Sequence, residues 1–108
     1  MAITRSQVDS EGVERNTAGS LLDDAATPAA VTLTPGFTPV YVAWINVTDR
    51  ITWEWFTGAA DGTTLKTAAA GTRTLDTADV AITVNDDDTI TIAAAVVLQN
   101  KQYRYIIR

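Results

Sequence analysis

The chain has 108 residues, a formal net charge of −5 and a sequence pI near 4.4. That length suffices for one domain with its own core, and the acidic balance argues against an electrostatic nucleic-acid footprint. There is no cysteine and no histidine, which excludes disulfides, thiolate nucleophiles, Ser-His-Asp catalysis and nearly every zinc or copper site.

Residues 1–28 are polar, small and charged, with no aromatic residue and no apolar repeat at 3.6 or 2. Such a segment cannot bury enough surface by itself to offset its ordering entropy, so it reads as an extended N-terminal arm. Leu21 and Leu22 are its strongest apolar pair and the place where it would dock. The N-terminus has no apolar stretch behind a basic start, and no run approaches the ~18 apolar residues of a spanning helix. The expectation is therefore a protein made in a cytoplasm, with no membrane partner. Asp23 and Asp24 belong to an acidic head, and Lys101, Arg104 and Arg108 to a basic tail. The two would attract each other within or between subunits, or simply be solvated.

From residue 29 onward the pattern is β. Val31 and Leu33 alternate with threonines, and Pro35-Gly36 has the chemistry of a turn whose third position takes a positive φ. Residues 40–57 hold all three tryptophans in two apolar runs split by Thr48-Asp49-Arg50, which predicts a hairpin. With those three residues as the loop, Val47 pairs with Ile51, Ile45 with Trp53 and Ala43 with Trp55, and Arg50 must sit near the left-handed region. Tyr41, Ala43, Ile45, Val47, Ile51, Trp53 and Trp55 then form an apolar face. Trp44 falls on a mixed face with Val42, Asn46, Thr52, Glu54 and Phe56.

Residues 63–70 and 71–77 read as Thr-rich short strands or extended loop, anchored by Leu65 and Leu75. Val80, Ile82 and Val84 alternate with Ala81 and Thr83. After the Asn85-Asp86-Asp87-Asp88 turn, Ile90 and Ile92 resume the alternation. Residues 94–98 are continuously apolar and fit a buried segment. The closing strand puts Tyr103, Tyr105 and Ile107 on one face and Arg104, Ile106 and Arg108 on the other. Short strands at regular spacing without a helix predict an all-β fold, a small β-sandwich or barrel of antiparallel strands over residues 29–108.

Candidate chemistry is sparse. Asn85 to Asp88 could hold Ca²⁺, but an EF-hand needs a Gly sixth and a Glu twelfth, and a turn bonding its own backbone explains the residues equally. Trp53 and Trp55 share a face and suit either a sugar-stacking platform or a core, with Trp44 the one expected to be exposed. Asp49 and Arg50 sit at the hairpin tip as an ion pair or a partner contact. Glu54, among tryptophans, lacks the second carboxylate that glycosidase chemistry uses, and reads as an edge or salt-bridged position. The expectation is no enzyme, no cofactor and no metal, with Leu21, Leu22, Asp23, Asp24, Arg50 and Trp44 as candidate partner contacts.

GFTPVYVAWINVTDRITWEWFTG, followed by ADGTTLKTAAAGTRTL and the closing LQNKQYRYIIR, resembles small accessory proteins of tailed-bacteriophage virions. The resemblance spans about residues 31–108 and implies a capsid decoration (cement) protein on the virion surface. Its partners would be the major capsid protein and neighbouring copies of itself, and no catalytic residues come with it. The rival expectation is a carbohydrate- or receptor-binding β module of a fibre or tail.

Overall fold

The computed structural model describes residues 17–23 and 29–108. Nine strands follow in chain order: β1 Thr17–Asp23, β2 Val31–Leu33, β3 Tyr41–Asn46, β4 Ile51–Phe56, β5 Thr64–Thr67, β6 Arg73–Asp76, β7 Ile82–Val84, β8 Ile90–Ile92 and β9 Lys101–Ile107. A single 3₁₀ turn, Ala94–Val96, precedes β9. Six strands form one antiparallel sheet in the order β1-β9-β3-β4-β5-β6, and β2-β8-β7 form a second. The two sheets share one core, so the fold is a small all-β sandwich.

The core lies between the sheets. Val42, Trp44, Trp53, Tyr103 and Ile107 come from the large sheet, Ile82, Ile90 and Ile92 from the small one, and Val96 and Val97 plug the side. Trp44 stacks on Tyr103 at 5.0 Å between ring centroids and on Tyr105 at 6.4 Å, both at 16°. The indole N–H of Trp44 donates to the Val96 carbonyl at 3.1 Å and that of Trp53 to Asp79 at 3.2 Å. Both large rings are thereby buried without leaving a donor unpaired.

The aromatic hairpin forms, but one residue out of the expected register. Asn46 pairs with Ile51, Trp44 with Trp53 and Val42 with Trp55, so the loop has four residues, 47–50. Asn46 is the cause. Its Oδ1 accepts the Asp49 N–H and its Nδ2 donates to the Asp49 carboxylate, both at 2.9 Å. With its polar atoms used inside the loop, Asn46 can sit on the buried face at 2% exposure. Arg50 takes the anticipated left-handed conformation, with φ 61°. Trp44 is consequently not the exposed exception but fully buried, on one face with Trp53 and Trp55.

Three other expectations change. Val80 has φ 46°, which breaks the alternation before β7, so Ala81 is buried and Val80 is exposed. Residues 94–98 open with the 3₁₀ turn Ala94–Val96 and bury Val96 and Val97 but leave Leu98 outside. Leu75 anchors nothing, being 75% exposed on β6. Gly36, by contrast, has the φ of 85° that the Pro-Gly turn requires.

Thr17–Asp23, within the segment read as an arm, is extended and pairs with β9 along its full length, from Thr17 opposite Ile107 to Asp23 opposite Lys101. The rest of the expected arm, residues 1–16 and 24–28, lies outside the described residues.

One buried polar atom lacks a partner among the described residues, the Thr64 hydroxyl. Thr64→Val keeps the shape and removes the unpaired oxygen. It should stabilise the protein by about 1 kcal/mol in urea denaturation, the order of a buried unsatisfied group's cost. A destabilised variant would mean that the hydroxyl has a partner after all.

Candidate functional site: the outer face of the large sheet

The small sheet packs on one face of the large sheet. The opposite face is left uncovered by any element among the described residues. The pleat puts alternate residues there, and the register aligns one straight row across all six strands: Ala18, Ile106, Ala43, Glu54, Leu65 and Leu75. Beside it, Tyr41 and Phe56 pair with rings 5.2 Å apart. Leu22 is 61% and Phe56 47% exposed. Ala18, Ser20, Ile45, Arg104 and Ile106 line a groove of about 330 Å³ where β1, β9 and β3 meet.

Glu54 interrupts this apolar row and is neutralised in place. The Tyr41 hydroxyl donates to its carboxylate at 2.6 Å, and Arg73 approaches at 3.4 Å. Burial first, then the bond to Glu54 and the charge of that carboxylate, push the Tyr41 phenol well above its usual pKa. The carboxylate is therefore salt-bridged, on a central strand of the sheet.

The candidate contacts from the sequence scatter. Leu21 packs against this chain's own core, Leu22 faces outward, and Trp44 presents nothing to a partner. Asp23 sits opposite Lys101 in register, and Asp24 lies outside the described residues. Arg50 is exposed at the β3–β4 tip. That tip is tied to the start of β9, since Lys101 bonds Asp49 at 3.1 Å and the Gln102 N–H donates to Thr48 at 2.8 Å. Leu22, Asp23 and Arg50 therefore share one end of the sheet. Sequence reasoning missed Leu75 as a surface residue, and did not bring Ile106 and Phe56 onto one face with it. Only the pairing rows reveal them.

The Asn85–Asp88 turn is engaged internally. Asp87 accepts from the Thr89 hydroxyl at 2.6 Å and its N–H at 3.1 Å, and Asp88 accepts from Thr38 at 3.1 Å. No cluster of three metal-ligating side chains occurs among the described residues.

These bonds predict acid behaviour. Lys101, with help from Asn46, holds the Asp49 carboxyl below its usual 3.8, and Thr89 does the same for Asp87. For Asp76, burial opposes the charge, but hydrogen bonds from Asp79 and the Ala78 N–H, with Lys66 nearby, leave it lowered too. Each group binds its proton less readily folded than unfolded, so the unfolded chain gains more protons as pH falls. Their contribution is complete above the unfolded value and is lost as pH drops below about 4. Thermal melts should give a level midpoint from pH 7 to 5 and a fall between pH 4 and 3. A midpoint unchanged at pH 3 would contradict it.

The class defined by this fold and face is an all-β sandwich with a sheet surface that no element covers among the described residues. No family model, curated protein or solved structure matches the chain.

Proposed function

We propose that this is a structural virion protein that decorates and cements a tailed-bacteriophage capsid, with the outer face of the large sheet lying on the shell. The observation that carries the reading is the aligned row across six strands, apolar at every position but Glu54, on a face that no element covers among the described residues. Six strands about 4.8 Å apart and four to seven residues long give a mean footprint of about 24 by 19 Å, or roughly 450 Å². That equals the largest patches of ordinary monomers and falls short of the ~800 Å² per partner of a standard interface. The rim must supply the remainder, and Leu22, Arg50 and Arg104 are placed to do so. Pairing of Glu54 with Tyr41 and Arg73 lets the row be covered without stranding a charge.

This reading moves the contact from the arm to the sheet. Leu21 is spent on the chain's own core, so Leu22 is the leucine left to reach a partner.

The test is co-sedimentation with empty capsids of the phage whose genome carries the gene. Wild-type protein should pellet with shells. Leu75→Asp and Phe56→Asp alter exposed positions, should fold normally by circular dichroism, and should weaken binding at least tenfold. The reading fails if the wild type does not bind shells or if both variants bind as well as it does.

A further inference from the structure

A second concave site lies away from that face, where the β4–β5 loop meets the outer edge of β7. It is a cleft of about 590 Å³, inside the ~300–1,000 Å³ range of small-molecule sites. Trp55, Val80 and Ile82 form its apolar wall, and Asp61, Asn85 and Asp86 bring polar groups to it. No lysine or arginine lines it.

The hydrogen-bonding state of these groups is unusual for this molecule. Trp44 and Trp53 each spend their indole N–H on a partner, but Trp55 has none among the described residues. Nor is that N–H a sealed-off donor, since the Thr64 hydroxyl is the buried side-chain atom left unpaired. Asp61 and Asp86 likewise make no ion pair or hydrogen bond among the described residues. Asn85 is held by bonds from its Nδ2 to Thr89 and Thr91 at 3.1 and 3.0 Å, which fixes its Oδ1 as an unused acceptor. Val80, on the rim, keeps a left-handed backbone at φ 46°, a conformation that costs a β-branched residue free energy and leaves its side chain at the cleft mouth.

The cleft is thus lined by the acceptors of Asp61, Asn85 and Asp86, the Trp55 N–H donor, the Thr83 hydroxyl and an apolar wall that includes an indole. An anion is repelled by both carboxylates. A guanidinium or ammonium satisfies the acceptors but, having no acceptor of its own, leaves the Trp55 N–H unpaired. A purely apolar ligand offers none of these polar groups a partner. A polyhydroxylated ring answers each demand, because its hydroxyls both donate and accept while its C–H face lies on apolar and aromatic surface. We propose that this cleft binds a neutral saccharide, with Trp55 as the platform and Asp61, Asn85 and Asp86 receiving its hydroxyls. The site is distinct from the shell-facing surface and does not depend on it.

The test uses the isolated full chain and a panel of methyl pyranosides of glucose, galactose, mannose and N-acetylglucosamine with their β-linked dimers. The Trp55 indole N–H resonance is followed, assigned by its absence in Trp55→Phe. At least one sugar should shift it saturably, with little change between 50 and 500 mM salt. Asp86→Ala and Asp61→Ala sit on exposed positions and keep the test valid if Trp55 variants fold poorly. Each should weaken binding about tenfold or more. The proposal is overturned if no sugar in the panel shifts the resonance, or if both aspartate variants bind unchanged. A shift produced by methylguanidinium and erased by salt, with none from the sugars, would mark a cation site and overturn it as well. None of these outcomes bears on capsid co-sedimentation.

Discussion

Replacing Trp44 by alanine should cost about 3–5 kcal/mol, the range for emptying a large aromatic site in a packed core. The ring is fully buried, stacks on Tyr103 and Tyr105, and donates to Val96. Its loss removes contact area and two aromatic stackings, and leaves the Val96 carbonyl without its donor. The cavity would open between β3, β9 and the 3₁₀ turn, and the sheet backbone there is hydrogen-bonded on both sides and cannot collapse to fill it. Urea denaturation should show the midpoint falling with an unchanged slope. Trp44→Phe should recover a large part of the loss. A Trp44→Ala variant within ~1 kcal/mol of wild type would place the ring outside the core and would require the four-residue hairpin loop to be wrong.

Gly19→Val should pull β1 away from β9, at a cost of about 1–3 kcal/mol for overpacking. Gly19 lies opposite Tyr105 in the register, and the Tyr105 ring covers the glycine. A Cβ there would come within 2.6 Å of the ring's Cζ, so one side must move. The ring is the end of a side chain, but shifting it breaks its stacking on Trp44. Displacing β1 instead gives up seven residues of pairing on an edge strand. The readout is chymotrypsin, which should cut after Leu21 or Leu22 in Gly19→Val much faster than in the wild type. Tyr105→Ala removes the obstacle. In a double-mutant cycle Gly19→Val should then cost far less in the Tyr105→Ala background. Additive costs would show that the two residues do not meet.

Much of the architecture is legible locally. Period-2 alternation places β2, β8 and β9 and correctly assigns Tyr103, Tyr105 and Ile107 to one face. Pro35-Gly36 marks its turn, and the tip sequence 47–50 requires a left-handed residue, which Arg50 supplies. Trp53 and Trp55 share a strand face by parity alone. These features depend on neighbours within a few residues, so composition and spacing carry them.

What the tertiary structure decided concerns partners far apart in the chain. Alternation divides β3 and β4 into two faces but, where both are apolar, does not say which is inside. The small sheet, whose β7 and β8 arrive some thirty residues later, covers Trp44 and leaves Phe56, Leu65 and Leu75 on the side that no element covers among the described residues. The hairpin register turned on one side chain, because Asn46 could satisfy its polar atoms within the loop and so enter the core. The segment Thr17–Asp23 has no periodic signal of its own and becomes a strand because β9, at the other end of the chain, offers a free edge. A strand of weak intrinsic pattern is stabilised by backbone hydrogen bonds to a template, and the template is visible only once the chain has closed.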